Sequence, residues 1–242
     1  MSLTKPKSQV RRERTLATRR RMVGAAYRLF SENGYAATTM EAIAREADVA
    51  VPTLYFTFRT KGGILSEALG AAVMGLEDPV GPEDAPWYRA FESETDSRRA
   101  LQLLVENVAV ILSRVGPLTA AIQGGANDPE VMAVRDLSER RRQEGYRAIV
   151  RLLARKGRLR PGLTVSRATD IVLVLLSAEL FHSLANGRGW SVAECTRWIF
   201  EVLSQQLLPP DDPRSGAGRD SSDSGDSENR IKGPVAARVR RR

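Results

Sequence analysis

Residues 38–61 read TTMEAIAREADVAVPTLYFTFRTK, two short helical patterns with a turn between them. Met40, Ile43, Ala44 and Ala47 recur at i, i+3, i+4 and i+7, which gives the first helix one apolar face and leaves Glu41, Arg45 and Glu46 to solvent. Thr39 stands where an N-cap belongs. Asp48 and Val49 follow the last apolar position, and Asp tolerates the left-handed backbone that a sharp turn between helices requires. The chain restarts at Pro52, whose fixed φ and missing N–H suit a first helical turn. Leu54 and Phe58, four residues apart, anchor this second helix inward. Its outer face is then Val51, Pro52, Thr53, Tyr55, Phe56 and Thr57.

That outer face is unusual for a solvated surface and suits a DNA groove. Small apolar groups and a Thr methyl can meet thymine methyls, hydroxyls can reach base edges or phosphates, and Tyr55 offers a phenol to the backbone. The alternative from the spacing alone is a three-helix core unit with exposed aromatics, since many helix pairs of this kind bind nothing.

The longer segment FSENGYAATTMEAIAREADVAVPTLYFTFRTKGGIL resembles the N-terminal domain of the tetracycline-repressor (TetR) family. The likeness rests on the aromatic-Gly-Tyr ending of the preceding helix, the Thr pair, Ile43-Ala44, and Thr53-Leu54-Tyr55 followed by Phe and Lys. It covers some fifty residues, from Arg19 to Leu69. The resemblance implies that Thr39, Tyr55 and Lys61 contact phosphates, that Val51, Pro52 and Thr53 face base edges, and that Phe56 lies against a sugar or thymine. Thr38 and Thr57 complete the candidate DNA-binding set. The chain departs from the family pattern at Asp48, where Gly is usual, at Thr57, where His is common, and at Gly62-Gly63. Two glycines weaken a helix start by roughly 1 kcal/mol each, so a soft hinge is expected after residue 61.

The charge supports a partner rich in phosphate. Of the 242 residues, 1–66 carry 12 Lys and Arg against 5 Asp and Glu, a net of +7, whereas 67–208 come to −1 and 209–242 to +2. Such asymmetry fits a surface that neutralises phosphates and releases counterions. Cys195 and His182 are the single cysteine and histidine, so neither an intrachain disulfide nor a Cys/His zinc site is available. A reducing cytoplasm is the expected compartment. No uninterrupted apolar run reaches the length of a membrane span, and the basic N-terminus lacks the apolar stretch of a secretory signal.

Before the helix-turn-helix, residues 1–17 read as an unstructured basic arm, either a solvated tail or a strand along a minor groove. A first helix is predicted from Thr18 to Asn33, with Met22, Ala26 and Phe30 on its inner stripe and Gly34 ending it. Residues 18–66 form the DNA-binding domain on this reading. A fourth helix, capped by Thr60, leads into a larger helical domain over 67–208; in a TetR-like arrangement it carries movement between the two.

Residues 77–96 form a Pro- and Gly-rich loop with an aromatic end at Trp87, Tyr88 and Phe91. The next helix carries Leu101, Leu104, Val105, Val108, Ile111 and Leu112, and Gly116-Pro117 is expected to stop it before a short segment from Leu118 to Gln123. Asp128-Pro129-Glu130 opens a long helix running to about Lys156. Its arginines alternate with Glu139 and Glu144, which favours a salt-bridged solvated face over a second nucleic-acid surface. Ile171 to Leu176 is apolar all round and must be covered on more than one side. The last helix presents Cys195, Trp198, Ile199, Val202 and Leu203 on one face. Two such helices from each of two chains would build a four-helix seam, with Val174, Leu175, Trp198, Ile199 and Val202 in a homodimer interface; a core packed from both sides is the alternative. The resemblance extends here through the Gly-Arg-Leu-Arg-Pro turn at 157–161 and Gly189-Trp190-Ser191. Residues 209–242 read as a disordered tail.

The sequence therefore predicts an all-α protein: an N-terminal three-helix helix-turn-helix DNA-binding domain plus a larger C-terminal helical domain for ligand binding and dimerisation. The function expected is a regulator, most simply a repressor, that binds double-stranded DNA at an inverted-repeat operator as a homodimer and is released by a small-molecule effector. Trp87, Phe91, Gln123, Tyr146, Phe181 and His182 are the candidate ligand contacts, since pockets combine apolar walls with few polar groups; an ordinary core role is the alternative for each. A regulator of the same fold without an effector is the first rival. A helical enzyme or carrier is the second, and no catalytic constellation, phosphate-cradling motif or metal-ligand spacing supports it. No cofactor, no metal and no membrane association are expected.

Overall fold

The computed structural model describes residues 7–75, 81 and 83–210. Among these residues it is all-helical, with ten helices in chain order: α1 (Lys7–Ala37), α2 (Met40–Glu46), α3 (Val51–Phe58), α4 (Lys61–Met74), α5 (Pro86–Ser93), α6 (Ser97–Gly124), α7 (Pro129–Lys156), α8 (Val165–Leu175), α9 (Ala178–Arg188) and α10 (Val192–Leu207). Side-chain caps set most of the starts. Thr39, Thr60, Asp96, Asp128, Thr164, Ser177 and Ser191 each accept a backbone N–H in the first turn of the helix they precede, which satisfies donors that have no intrahelical partner.

Two hydrophobic cores organise the fold. The first takes the inner faces of α1 to α4, including Phe30, Ile43, Leu54, Ile64 and Leu65, and is completed by Leu118 and Ala121 from the end of α6 and Val131 and Val134 from the start of α7. The second joins α5 to α10 through Phe91, Leu101, Leu104, Val150, Leu153, Val172, Ile199 and Leu203. The three-helix unit thus buries its apolar surface against α4, α6 and α7, which a unit of this size needs in order to persist. All of α4 belongs with the first core, not only its opening turn as a boundary at residue 66 supposes.

Several expectations are corrected. The first helix does not begin near Thr18: residues 8–17, expected to be unstructured, continue α1 as exposed helix. Gly34, at φ 78°, does interrupt that helix. Gly116-Pro117 does not stop α6. The helix runs through Pro117 because Leu112 is fixed in the second core and Leu118 in the first. The Tyr27 hydroxyl donates to the carbonyl of Arg114 at 2.7 Å, in the turn that the proline disturbs. The apolar run at 171–176 ends sooner than expected: the helix breaks at Leu176, and Ser177 caps a new one.

By length and composition alone, Ser97–Gly124 and Val165–Arg188 would each suffice to cross a membrane, although neither is an uninterrupted apolar run. The first is α6, whose apolar face fills both cores, and the second is α8 and α9 with a break between them. Both segments contribute to the cores, α6 to the two of them and α8 and α9 to the second. The tail from residue 211 onward, and residues 1–6 of the arm, lie outside the described residues.

Candidate nucleic-acid interface

The helix-turn-helix is held by local chemistry. Thr39 Oγ1 accepts from Ala42 N–H at 3.1 Å and sets the start of α2. Asp48 adopts φ 52°, the left-handed turn conformation that the sequence demanded; Asp is one of the few residues besides Gly that visits it at low cost. Leu54, fully buried, and Phe58, 6 % exposed, hold α3 against the first core. The opposite face is open: Pro52 and Thr53 are exposed, Tyr55 is 45 % exposed and Phe56 78 % exposed, while Val51 and Thr57 are half-buried. A bare phenyl ring at that exposure gains nothing from water and is suited to contact with a sugar or a thymine methyl. The Thr57 hydroxyl donates back to the carbonyl of Thr53 at 2.8 Å.

Two residues expected at the DNA face point inward. Thr38 is 2 % exposed, and its single hydroxyl proton is shared between the carbonyls of Gly34 at 2.7 Å and Leu29 at 3.1 Å. It closes the end of α1 instead of reaching a phosphate. Lys61 is half-buried. Its Nζ donates to the carbonyls of Tyr35 at 2.9 Å and Thr38 at 3.1 Å and lies 4.1 Å from the centre of the Tyr35 ring. Two of its three donors are therefore committed within the chain.

The basic character is also partly used internally. Arg19 pairs with Glu67 at 2.9 Å and lies over the Phe58 ring, and Arg28 pairs with Glu46 at 2.8 Å. Arg11, Arg12, Arg14, Arg20, Arg45 and Arg59 are exposed. Arg59 was not singled out by sequence reasoning, yet it follows α3 directly, adopts φ 68° and sits over Phe56 with its guanidinium carbon 5.9 Å from the ring centre. A non-glycine residue held at such a φ costs of order 1 kcal/mol or more, and such residues concentrate at functional positions. The signal available in the sequence was its place, a cation immediately after the last apolar anchor.

The soft hinge expected at Gly62-Gly63 is a tight junction. A Cβ on Gly63 would fall 2.2 Å from the carbonyl oxygen of Phe58, and one on Gly62 2.5 Å from Cβ of Glu130. Neither space admits a side chain. The Gly62 N–H donates to Glu130 Oε2 at 2.6 Å, and the Tyr35 hydroxyl donates to the same oxygen at 3.2 Å. Burial first, and the Glu130 charge second, push the Tyr35 phenol well above its ordinary range, so it remains a hydrogen-bond donor at neutral pH.

The remaining candidates divide. Phe91 and Phe181 are buried in the second core, Trp87 packs against it, and Tyr146 is buried there with its hydroxyl donating to the Leu176 carbonyl at 3.2 Å. His182 is half-buried on α9. Gln123 is not with them: it is exposed at the end of α6, next to residues of the first core. Of the dimer candidates, Val174 is 65 % exposed, and Leu175, Trp198 and Val202 are half-buried. Ile199 is corrected to a core residue, 1 % exposed, as is its neighbour Cys195 at 0 %. Among the described residues no group of three or more His, Cys, Asp or Glu is placed to hold a metal ion.

Residues 23–68 match the family described as "Bacterial regulatory proteins, tetR family". Over 63 residues the chain is 44 % identical to the transcriptional repressor KstR of Mycolicibacterium smegmatis, a match covering 26 % of this chain and 29 % of KstR. The chain thus spans less than a third of the length of that relative. The fold extends the likeness to nearly the whole described chain. NalD, the secondary repressor of the MexAB-OprM multidrug efflux pump in Pseudomonas aeruginosa, superposes with a TM-score of 0.60 at 22 % identity, covering 81 % of this chain and 98 % of NalD. The regulator FadR of Bacillus subtilis, solved with stearoyl-CoA, superposes with a TM-score of 0.60 at 16 % identity, covering 76 % and 96 %. These define the fold class, an all-helical protein with an N-terminal helix-turn-helix. By sequence, the likeness to the tetR family lies in residues 23–68, which span the helix-turn-helix and most of α4.

Proposed function

We propose that the chain is a ligand-responsive DNA-binding transcriptional regulator, acting as a repressor that binds an inverted-repeat operator as a homodimer and leaves it when a small molecule occupies the larger helical domain. The observation that carries this reading is the face of α3: Pro52, Thr53, Tyr55 and Phe56 stand exposed on a helix whose other side is fully anchored, inside a domain of the tetR family. Val51, Pro52 and Thr53 meet base edges, while Thr39, Tyr55 and the exposed arginines hold the backbone. In a dimer the two α3 helices enter successive major grooves about 34 Å apart, which sets the symmetry of the operator.

Pairing is supported by the exposed Val174 on α8 and the half-buried Trp198 and Val202 on α10, large apolar groups that a second copy would cover. An effector site in the second core is supported by Trp87, Phe91, Tyr146 and Phe181, which gather there, and by FadR having been solved with stearoyl-CoA. Occupancy shifts the population away from the spacing that fits DNA, by no more than the ligand's preference for the other conformation.

The test is a footprint of the purified chain on the DNA flanking its own gene, repeated across a panel of apolar and aromatic compounds, with the oligomeric state measured by sedimentation. A symmetric protected site, a dimer, and loss of protection with at least one compound are expected. A monomer, or equal affinity for symmetric and random duplexes at moderate salt, overturns the reading.

A further inference from the structure

Four helix ends meet at one point in the first core. Tyr35 lies at the end of α1, Thr38 and Thr39 lead into α2, Lys61 and Gly62 open α4, and Glu130 is the second residue of α7. The Glu130 backbone is fixed by its own cap, Asp128, whose Oδ1 accepts from Glu130 N–H at 2.8 Å. Its carboxylate then reaches across 68 positions of sequence to the Gly62 N–H and across 95 to the Tyr35 hydroxyl.

Each bond has a reason. Gly62 N–H is one of the four first-turn donors that α4 cannot satisfy itself; Thr60 takes the Gly63 N–H, which leaves Gly62 to an external acceptor. A carboxylate at that end also meets the positive pole of the helix. Tyr35 stacks on Phe30, with ring centres 5.7 Å apart, and carries Lys61 over its face. Lys61 in turn binds the carbonyls of Tyr35 and Thr38, the residue before the cap of α2. A displacement of Glu130 is therefore felt at the start of α4 and at the entry to the helix-turn-helix together.

We propose that Glu130 is a positioning residue for DNA binding: its carboxylate is the catch by which α7 holds α4 and the α1–α2 turn in the DNA-competent arrangement, and its release lowers operator affinity. The proposal rests on the DNA-binding reading given above. It assigns to this chain a particular contact between the larger core and the helix-turn-helix. The glycine is part of the device, because a Cβ at residue 62 would meet the Glu130 side chain at 2.5 Å.

The experiment uses the full chain and three variants: Glu130→Ala, which removes both bonds; Glu130→Gln, whose amide oxygen can accept both; and Gly62→Ala, which pushes α7 from α4. Affinity is read by fluorescence anisotropy on a labelled duplex covering the footprinted site. Hydrogen exchange of the peptide spanning residues 60–65, and Tm, are measured alongside. Glu130→Ala and Gly62→Ala are expected to weaken binding by about tenfold, within the usual range of coupling between sites, with faster exchange in that peptide. Glu130→Gln is expected to restore affinity to within about threefold, a rescue that a general loss of folding would not give. Wild-type affinity in Glu130→Ala, or exchange at 60–65 unchanged by it, overturns the proposal while leaving the DNA-binding reading in place. A wild-type chain that binds no duplex overturns both.

Discussion

Tyr27 and Arg114 share one carbonyl and one seam. The Tyr27 hydroxyl donates to the Arg114 backbone oxygen at 2.7 Å, while the Arg114 guanidinium donates to the carbonyls of Ala72 at 2.8 Å and Val73 at 3.2 Å. Arg114 thus caps the end of α4 from α6, as Glu130 caps its beginning from α7. The linking helix is gripped at both ends by the larger part of the fold. Arg114→Ala leaves the last carbonyls of α4 without that donor and is expected to cost about 1.5–3 kcal/mol, the usual worth of hydrogen bonds to a charged group. Tyr27→Phe is expected to cost about 1 kcal/mol. Urea unfolding of the two variants checks the order.

Leu54 and Phe56 are two positions apart in α3 and face opposite ways, fully buried and 78 % exposed. Phe56→Ala is expected to leave stability within about 0.5 kcal/mol, as surface changes do, and to lower affinity for every duplex or shift preference at one base step. Leu54→Ala is expected to destabilise by about 2–5 kcal/mol. Thermal melts and duplex binding on the same samples separate the two roles; a stability loss in Phe56→Ala would place that ring in the core instead.

Arg59 separates backbone strain from charge. Glycine adopts φ 68° without cost, so Arg59→Gly is expected to hold or raise stability by up to about 1 kcal/mol. The same change removes an exposed cation beside Phe56 and is expected to reduce the salt slope of DNA binding by about one. Titrations at several salt concentrations provide the check, and an unchanged slope removes Arg59 from the interface.

Gly63→Ala tests whether residues 62–63 form a hinge or a packed junction. In a free helix the change would stabilise by about 1 kcal/mol. Here the new methyl would lie 2.2 Å from a backbone oxygen, which cannot rotate away, and a loss of about 1–3 kcal/mol is expected from overpacking. A gain in Tm would support the soft hinge.

Much of the exposed face of α3 was legible because it is written locally. The 3.6-residue period put Leu54 and Phe58 inside and left Phe56 outside, and both caps, Thr39 and Thr60, occupy the positions their chemistry predicts. The misses share one cause. Thr38 and Lys61 have side chains as suited to a phosphate as to a carbonyl, and only the neighbouring end of α1 decides between them. Ile199 lies on the same helical stripe as Trp198 and Val202, but the approach of α6 to α10 buries it. Pro117 carries a local instruction to stop, which is overridden because both flanks of α6 are fixed in cores.

From residue order alone came the helical class, the helix-turn-helix, the left-handed turn at Asp48 and the outward aromatic pair of α3. Periodicity, capping and backbone preference act over three or four residues and need no partner elsewhere. Folding in three dimensions decided what grips α4. Glu130 reaches Gly62 and Tyr35, and Arg114 reaches Ala72, across gaps of 68, 95 and 42 residues. No local pattern encodes such pairs, because they exist only once two cores have brought the ends of α1, α4, α6 and α7 together.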